Sequence, residues 1–279
     1  LAVQERAELI MLSDIAGYVG ADTCGCLLAI RQDQQEEISL MIDIGTNGEM
    51  VLGNRERMVT CSTAAGPAFE GAKIECGMRG AAGAVDHVKY EDGKWNYTTV
   101  GNKPAVGLCG SGLIDLVAGL LDAGMLDENG VLRSGQEKQG VFILVLPERG
   151  GNERGVYLTQ KDLGEVQLAK AAIAAGIQML MERLGITEDD ICSVYIAGAF
   201  GNYMDPVSAG KIGLFPATLV KKVKPVGNAA GEGAKIALVN EKEMLEMDEL
   251  VRKIEFVELA ASADFQDHFI DELGFETGE

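Results

Sequence analysis

Residues 38–54 read ISLMIDIGTNGEMVLGN, and this stretch decides the fold. Its first part, 38–44, is an apolar run with recurring β-branched residues, which predicts a buried strand. The cluster Gly45-Thr46-Asn47-Gly48 predicts a turn, because Asn-Gly is the strongest two-residue hairpin signal. Residues 49–53 are then expected to return as a second strand, and residues 57–63 to add a third. The sheet therefore begins with three antiparallel strands.

The pattern on either side of this hairpin predicts an α/β fold, a mixed sheet flanked by helices. A Gly/Ala-rich loop over 64–84 opens an inserted α+β region that is expected to extend to about residue 158. The clearest helix is predicted at 160–184, where apolar residues recur three and four positions apart behind a Thr159 cap. A strand is expected at 219–224, and residues 1–30 are expected to be helical at both ends with a turn at 20–23.

Charge and composition exclude several classes of function. The chain has 279 residues, with 24 Lys and Arg against 43 Asp and Glu, so its formal charge is −19. Such a balance argues against nucleic acids and anionic membranes as partners, since both require clustered cations. Hydrophobic residues make up 47% of the chain, which is typical of a folded protein. No run of about 18 apolar residues predicts a membrane helix.

The first residues, LAVQERAELIMLSD, carry early charges and lack the order of a signal peptide. A cytoplasmic location is therefore expected. The chain has no initiator Met and begins within what reads as a structured segment, so it is expected to be part of a longer polypeptide.

The six cysteines show no metal-binding spacing, because no C-x-x-C occurs and only Cys24 and Cys26 are close together. The simplest interpretation is reduced thiols that behave as small hydrophobic residues. With only His87 and His268, a histidine-based metal site or a Ser-His-Asp triad is disfavoured.

The turn that follows the first strand is the leading candidate site. Burying the carboxylate of Asp43 at the end of an apolar strand costs free energy unless the charge is paired or bound to a metal. The glycines let backbone N–H groups approach a ligand, while Thr46 and Asn47 add polar groups. Such a turn can cradle phosphate, and Asp43 can hold a hydrated Mg²⁺ or orient water. A plain hairpin with Asp43 capping the turn explains the residues equally well.

Three further glycine-rich segments could bind a ligand. GLCGSG at 107–112 opens a predicted helix, whose free N–H groups attract anions. IAGAFGN at 196–202 follows a strand, and its small residues would let a flat ring lie against the backbone. GNAAGEG at 227–233 starts another helix. Each has a structural alternative: a glycine turn capped by Ser111, a tight strand-to-helix turn, and close helix packing, respectively.

Together and in this order, these segments resemble the second half of the actin, Hsp70 and sugar-kinase ATPase superfamily. Residues 43–49 look like its second phosphate turn, 196–202 like its adenosine motif, and 227–237 like its connecting helix. The match narrows to the carboxy-terminal ATPase region of reductive activators of corrinoid proteins, over essentially the whole chain. It is carried by LMIDIGTNGEMVLGN (40–54), AAGPAFEGAKIECGMRGAAGAV (64–85), GLCGSGLIDLVAGLLDAGMLD (107–127), LTQKDLGEVQLAKAAIAAGI (158–177) and YIAGAFGNYMD (195–205).

The resemblance implies an actin-like, ribonuclease H-like ATPase lobe over residues 1–279 that binds ATP and Mg²⁺. Asp43 would be the catalytic residue and would position Mg²⁺ through water, or the attacking water itself. The cofactor-binding residues would be Gly45, Thr46, Asn47, Gly48, Glu49, Gly110, Ser111, Gly198, Ala199, Phe200, Gly201, Asn202, Gly227 and Asn228. A first ATPase lobe and an amino-terminal domain with a 2Fe–2S cluster would lie outside this chain, so the isolated chain is expected to be inactive.

The resemblance also implies ATP-dependent reduction of a corrinoid protein from Co(II) to Co(I), in anaerobic methyl-transfer metabolism. The partners would be a corrinoid iron–sulfur protein or the corrinoid subunit of a methyltransferase, together with a low-potential electron donor. A homodimer is a further expectation, and the 64–84 loop is either a docking surface or a packed crossover.

Three alternatives remain open. One is an activator of a radical dehydratase, in which Cys76 and Cys109 would serve a cluster shared between subunits, or else a hydantoinase-like ATPase. Another is an interaction module without nucleotide chemistry. A dinucleotide-binding dehydrogenase has little support, because no G-x-G-x-x-G follows the first strand.

Overall fold

Eleven strands and seven α-helices occur in the computed structural model, which describes residues 11–133, 140–198, 200–260 and 262–275. The strands of this described part are β1 (Ser39–Ile44), β2 (Gly48–Gly53), β3 (Met58–Thr63), β4 (Ala84–Glu91), β5 (Lys94–Thr99), β6 (Gly107–Leu108), β7 (Val141–Val145), β8 (Val156–Thr159), β9 (Ser193–Ala197), β10 (Val223–Gly227) and β11 (Ile254–Phe256). Its α-helices are α1 (Ala21–Ile30), α2 (Gly110–Asp122), α3 (Gln160–Leu184), α4 (Pro206–Lys211), α5 (Ala229–Val239), α6 (Glu241–Val251) and α7 (Ala263–Asp271).

The central sheet has six strands in the order β10-β9-β1-β2-β3-β11. β1, β2 and β3 are antiparallel, which confirms the predicted hairpin and third strand. β9 is parallel to β1 and to β10, and β11 is parallel to β3. The sheet is therefore mixed and flanked by helices, as the sequence predicted.

Alternate side chains of β1 point to opposite faces of the sheet, and each face is covered by different helices. Leu40, Ile42 and Ile44 belong to the large core that includes α3, whereas Met41 belongs to a smaller core with α1 and α5. Because side chains alternate along a strand, Asp43 points to the same face as Met41. The candidate catalytic carboxylate thus lies on the side of the sheet that α1 and α5 cover.

α3 covers the other face and has the predicted bounds, 160–184. Thr159 and Asp162 form a reciprocal capping box at its start, and Gly185, with φ 70°, ends it. The predicted apolar stripe packs into the core, with fully buried residues at Leu163, Val166, Ala169, Ile173, Ile177 and Leu180.

The described residues between β3 and α3 form two small sheets and one α-helix. β5, β4 and β6 make a three-stranded sheet, β7 and β8 pair antiparallel, and α2 packs on β4. Buried residues of this region, such as Val85, Leu113 and Phe142, join the same core as β1 and α3. The inserted region and the central sheet therefore share one core.

Two predicted elements were misplaced. α1 begins at Ala21, within the predicted 20–23 turn, and residues 11–20 contain no helix; residues 1–10 lie outside the described part. The expected strand at 219–224 is a 3-10 helix over Ala217–Lys222, and β10 follows at Val223–Gly227. β10 contains Pro225, which an edge strand tolerates because its outer side needs no ladder hydrogen bond.

None of the helices in the described parts of the chain combines the length and apolar character that a membrane crossing requires.

Candidate functional site

Three of the four predicted turns meet at one edge of the central sheet. The Asp43 turn (43–49) leaves the end of β1, the Gly198 turn (196–202) leaves β9, and the Gly227 turn (227–228) leaves β10. β1, β9 and β10 are parallel neighbours, so their carboxyl ends lie side by side. In α/β sheets, ligands bind in the crevice at this edge.

Short contacts join the three turns. The N–H of Gly198 donates to the carbonyl of Gly227 at 2.9 Å. A Cβ at Gly198 would lie 3.0 Å from Oδ1 of Asp43, and φ of Gly198 is +89°, which favours glycine. A Cβ at Gly227 would lie 3.1 Å from Nδ2 of Asn202. The edge therefore has room for backbone and small residues only.

Asp43 is half-buried, and another carboxylate lies near it. Burial raises the pKa of its carboxyl, and the nearby carboxylate of Asp22 raises that pKa further. The thiol of Cys26, 3.8 Å from Oδ2, donates a weak hydrogen bond that acts in the opposite direction. Burial and the charge of Asp43 raise the pKa of Cys26 to about 12, so this thiol stays protonated and remains a donor.

Glu49 lies directly opposite Asp43 in the β1–β2 ladder. Directly paired residues of antiparallel strands have neighbouring side chains, so two carboxylates face one another. Burial raises the pKa of Glu49, as do the charges of Asp22 and Asp43, while the hydroxyl of Ser62 donates to it at 3.3 Å. Within the described residues, no ion pair neutralises any of the three carboxylates.

The tip of the Asp43 turn is exposed and anchored by its backbone. The N–H of Gly45 donates to the carbonyl of Asn47 at 2.9 Å, and Thr46 and Asn47 are exposed. The carbonyl of Thr46 accepts from Gly66 at 2.8 Å, and its hydroxyl donates to Glu70 at 3.1 Å. The turn thus presents polar groups to solvent while the start of the 64–84 loop holds it.

Gly48 packs the end of the same turn closely against β3 and α3. A Cβ at this position would lie 3.0 Å from Oγ1 of Thr63 and 3.1 Å from Cγ1 of Ile173 on α3. Such distances are shorter than most real contacts of a Cβ, so a larger residue would push the turn away from α3.

The Gly198 turn continues into a short 3-10 helix over Phe200–Asn202. Gly201 is buried, and a Cβ there would lie 2.8 Å from the carbonyl of Ile196, so a larger residue would not fit. Ala199 lies outside the described residues.

The Gly227 turn starts α5. Asn228 is its N-cap, and its side chain accepts from the N–H of Gly231 at 3.0 Å. α5 runs over Ala229–Val239, where the resemblance placed a connecting helix. It packs on α1 so closely that a Cβ at Gly233 would lie 1.8 Å from the carbonyl oxygen of Gly25.

The fourth predicted turn lies in the inserted region. Gly110 and Ser111, at the start of α2, are buried, and the hydroxyl of Ser111 donates to the carbonyl of Asp86 on β4 at 2.8 Å. The N–H of Cys109 donates to the carbonyl of Val85. These contacts tie the turn to β4 rather than to the other three turns, and its role in binding stays a prediction.

Sequence reasoning missed Asp22 and Cys26. They are four residues apart on α1, so they share one helix face, which is the face turned to Asp43. The i, i+4 spacing was readable, but the start of α1 has no side-chain cap that would have placed the helix.

The arrangement suits Mg·ATP. The described residues hold no group of three or more His, Cys, Asp or Glu that would form a complete metal cage. Mg²⁺ is usually held by one or two carboxylates, with phosphate oxygens and water completing its shell, which fits the uncompensated pair of Asp43 and Glu49. The carboxylates of Asp43 and Glu49 therefore fit the cation that the resemblance implied.

The chain is similar in sequence to a known family and to characterised proteins. Residues 37–279 match the family described as the C-terminal domain of RACo, the ASKHA domain. The corrinoid activation enzyme RamQ of Eubacterium limosum is 36% identical over 97% of this chain and 48% of its own length. The Co(II) methylated amine-specific corrinoid protein reductase of Methanosarcina barkeri is 29% identical over 98% of this chain and 52% of its own length.

A solved structure described as a reductive activator for corrinoid, iron–sulfur protein superposes with a TM-score of 0.88. It is 39% identical over 95% of this chain and 44% of that chain. The chain thus spans about half the length of the relatives that it matches. By its match over residues 37–279 and its fold, the chain belongs to the family of RACo C-terminal ASKHA domains.

Proposed function

We propose that this chain is the second nucleotide-binding lobe of an ATP-dependent activator that reduces a corrinoid protein from Co(II) to Co(I). The observation that carries the proposal is the convergence of the Asp43, Gly198 and Gly227 turns at one edge of the sheet. The names of the relatives supply the redox partner, a corrinoid protein.

The proposed roles follow from position. Gly45, Thr46, Asn47 and Gly48 would hold the β- and γ-phosphates with backbone N–H groups and one hydroxyl. Asp43 would hold Mg²⁺ through water or orient the attacking water, and Glu49 beside it would strengthen the attraction for the cation. The adenosine would lie along residues 198–202 and 227–228, which resemble the adenosine motif and the start of the connecting helix.

The proposed domain arrangement places a first ATPase lobe and a 2Fe–2S domain outside this chain. Support comes from the relatives, of whose length the chain spans about half. With one wall of the nucleotide cleft, the isolated chain would bind ATP weakly and hydrolyse it negligibly. The full-length protein is proposed to act in the cytoplasm, as a homodimer.

ATP is needed because electron transfer from the donor to Co(II) is thermodynamically unfavourable. One electron from a low-potential donor would pass through the iron–sulfur domain to Co(II), giving Co(I). For a one-electron couple, about 59 mV corresponds to a tenfold change in the equilibrium constant. Nucleotide binding between two lobes supplies energy by favouring one arrangement of the lobes over another.

The experiment combines the chain with the proposed first ATPase lobe and 2Fe–2S domain, and it follows the cobalt spectrum of corrinoid proteins anaerobically with a reductant. Two classes are tried, a corrinoid iron–sulfur protein and the corrinoid subunit of a methyltransferase. The expected result is Co(I) only with Mg·ATP, lost in Asp43→Ala. Asp267→Ala, which removes an exposed carboxylate on α7, is the matched control and should retain activity.

Other outcomes would move the function elsewhere. ATP hydrolysis with no change in cobalt would keep the ATPase but assign it another acceptor, such as a radical dehydratase. That alternative needs cluster-binding thiols at the surface, whereas Cys109 is buried, with its Sγ 3.3 Å from the carbonyl of Val85. No effect of nucleotide would leave an interaction module.

A further inference from the structure

The inserted region carries a large groove that the nucleotide chemistry does not use. Its volume is about 1160 Å³, and it lies between β5 and the β7–β8 hairpin. Apolar side chains line it, among them Trp95 and Val141, and its walls also include Tyr97, which is 38% exposed, and Leu146, which is 50% exposed. The ring of Trp95 packs 4.9 Å from that of Phe142, so the aromatic wall is fixed by the core.

Cations border this groove in a strongly acidic chain. Arg149 and Arg154 line it and are exposed, whereas Glu75 is its one acidic lining residue. Within the described residues neither guanidinium forms an ion pair. Two unpaired arginines beside exposed apolar surface, in a chain of charge −19, form a local site for an acidic partner.

The 64–84 loop connects the groove to the Asp43 turn. At its start, Gly66 and Glu70 bond to Thr46, as described above. Near its middle, the N–H of Glu75 donates to Asp162 at 2.9 Å, and the Glu75 carboxylate accepts from the hydroxyl of Tyr157 at 3.2 Å. One loop therefore touches the phosphate-binding turn at one end and a wall of the groove at the other.

We propose that this groove is the docking surface for the corrinoid protein, and that the docked segment presents apolar side chains flanked by carboxylates. The proposal rests on the proposed function and names the partner surface that it requires. The loop contact explains how nucleotide at Thr46 would change the affinity of the groove. A second copy of this chain fits this groove less well, because a concave patch does not fill itself across a two-fold axis.

The test uses the full-length protein and a Co(II) corrinoid protein that the unmodified activator reduces. Arg149→Glu and Arg154→Glu are combined, and Leu146→Ser tests the apolar part; all three side chains are exposed, so the fold should be kept. The control exchanges two exposed cations elsewhere, Lys221→Glu with Arg252→Glu. Affinity for the corrinoid protein is measured by titration at low and moderate salt, and ATP affinity is measured separately.

The expected result is a loss of affinity for the corrinoid protein of about tenfold or more in the groove variants, with a weaker salt dependence in the double arginine variant. ATP affinity should not change, and the control should bind the corrinoid protein almost as the unmodified protein does. Unchanged affinity in the groove variants would overturn the proposal. So would a change of oligomeric state in sedimentation without loss of affinity, because the groove would then join copies of this chain. If the unmodified activator reduces no corrinoid protein, the proposed function fails, and the docking proposal that rests on it is overturned as well.

Discussion

The two faces of the central sheet are built differently. One is covered by α3, a capped helix of 25 residues whose apolar stripe is fully buried. The other is covered by α1 and α5, which meet through Gly25 and Gly233 and leave Asp43 half-buried beside a thiol. This lobe therefore keeps its bulk apolar packing on one face and its half-buried carboxylates on the other. Four predictions test this division.

The largest effect is expected on the α3 face. Leu180→Ala should lower the free energy of unfolding by about 3 kcal/mol, because it leaves a cavity in a fully buried core. The matched control is Leu168→Ala on the same helix, where the side chain is 46% exposed and the expected change is within about 0.5 kcal/mol. Urea unfolding measures both. Similar losses in the two variants would contradict the assignment of the buried face.

The next effect is expected where α1 meets α5. Gly233→Ala should cost about 2 kcal/mol of unfolding free energy, since its Cβ would lie 1.8 Å from the carbonyl oxygen of Gly25 and the helices would have to separate. Gly164→Ala on α3 makes the same exchange where nothing lies within 4 Å. It should stabilise by about 0.5–1 kcal/mol, because alanine favours helix. Changes of the same sign would refute the close packing of α1 on α5.

A third variant should stabilise the fold while abolishing function. The folded pKa of Asp43 is raised, so its ionised form destabilises the folded state above that pKa. Asp43→Asn should therefore raise the free energy of unfolding at pH 7 by about 1 kcal/mol. The stabilising contribution of the protonated carboxyl is complete below its unfolded pKa, about 3.9, and is lost as pH rises through the folded pKa. The gain from asparagine should accordingly fade as the pH of the urea titrations is lowered from 7 to 4.

The smallest effect concerns the charge that α1 contributes to the site. Asp22→Asn should lower the pKa of both Asp43 and Glu49, because the Asp22 carboxylate raises each of them after burial does. Carboxyl chemical shifts followed by NMR against pH measure the two midpoints. Asp14→Asn, another exposed acid before α1, acts on the pKa of Cys24 and should leave both midpoints in place. Equal shifts in the two variants would assign the effect to net charge alone.

The sequence was informative where a local pattern determines structure. The bounds of α3 follow from its apolar period and its Thr159 cap, and the Asp43 turn follows from Asn-Gly between two apolar strands. The family resemblance and the fold class were confirmed.

Sequence patterns failed where contacts are distant or signals are absent. α1 lacks a capping side chain, so its start, and with it the approach of Asp22 to Asp43, could not be located. The apolar residues around 219–224 favoured a strand there, although the strand that pairs with β9 begins at Val223 and contains Pro225. The groove unites β5 with residues some 50 positions further along the chain, a juxtaposition that only tertiary structure defines.

The parallel pairing of β1, β9 and β10 also has a consequence for biosynthesis. The Asp43 turn is synthesised well before Gly198 and Gly227, which complete its edge. Pairings between distant segments form slowly, while the intervening hairpins of the inserted region close locally. Until β9 and β10 have been synthesised, one edge of β1 in the nascent lobe has no partner strand. A chaperone would be needed most during this interval.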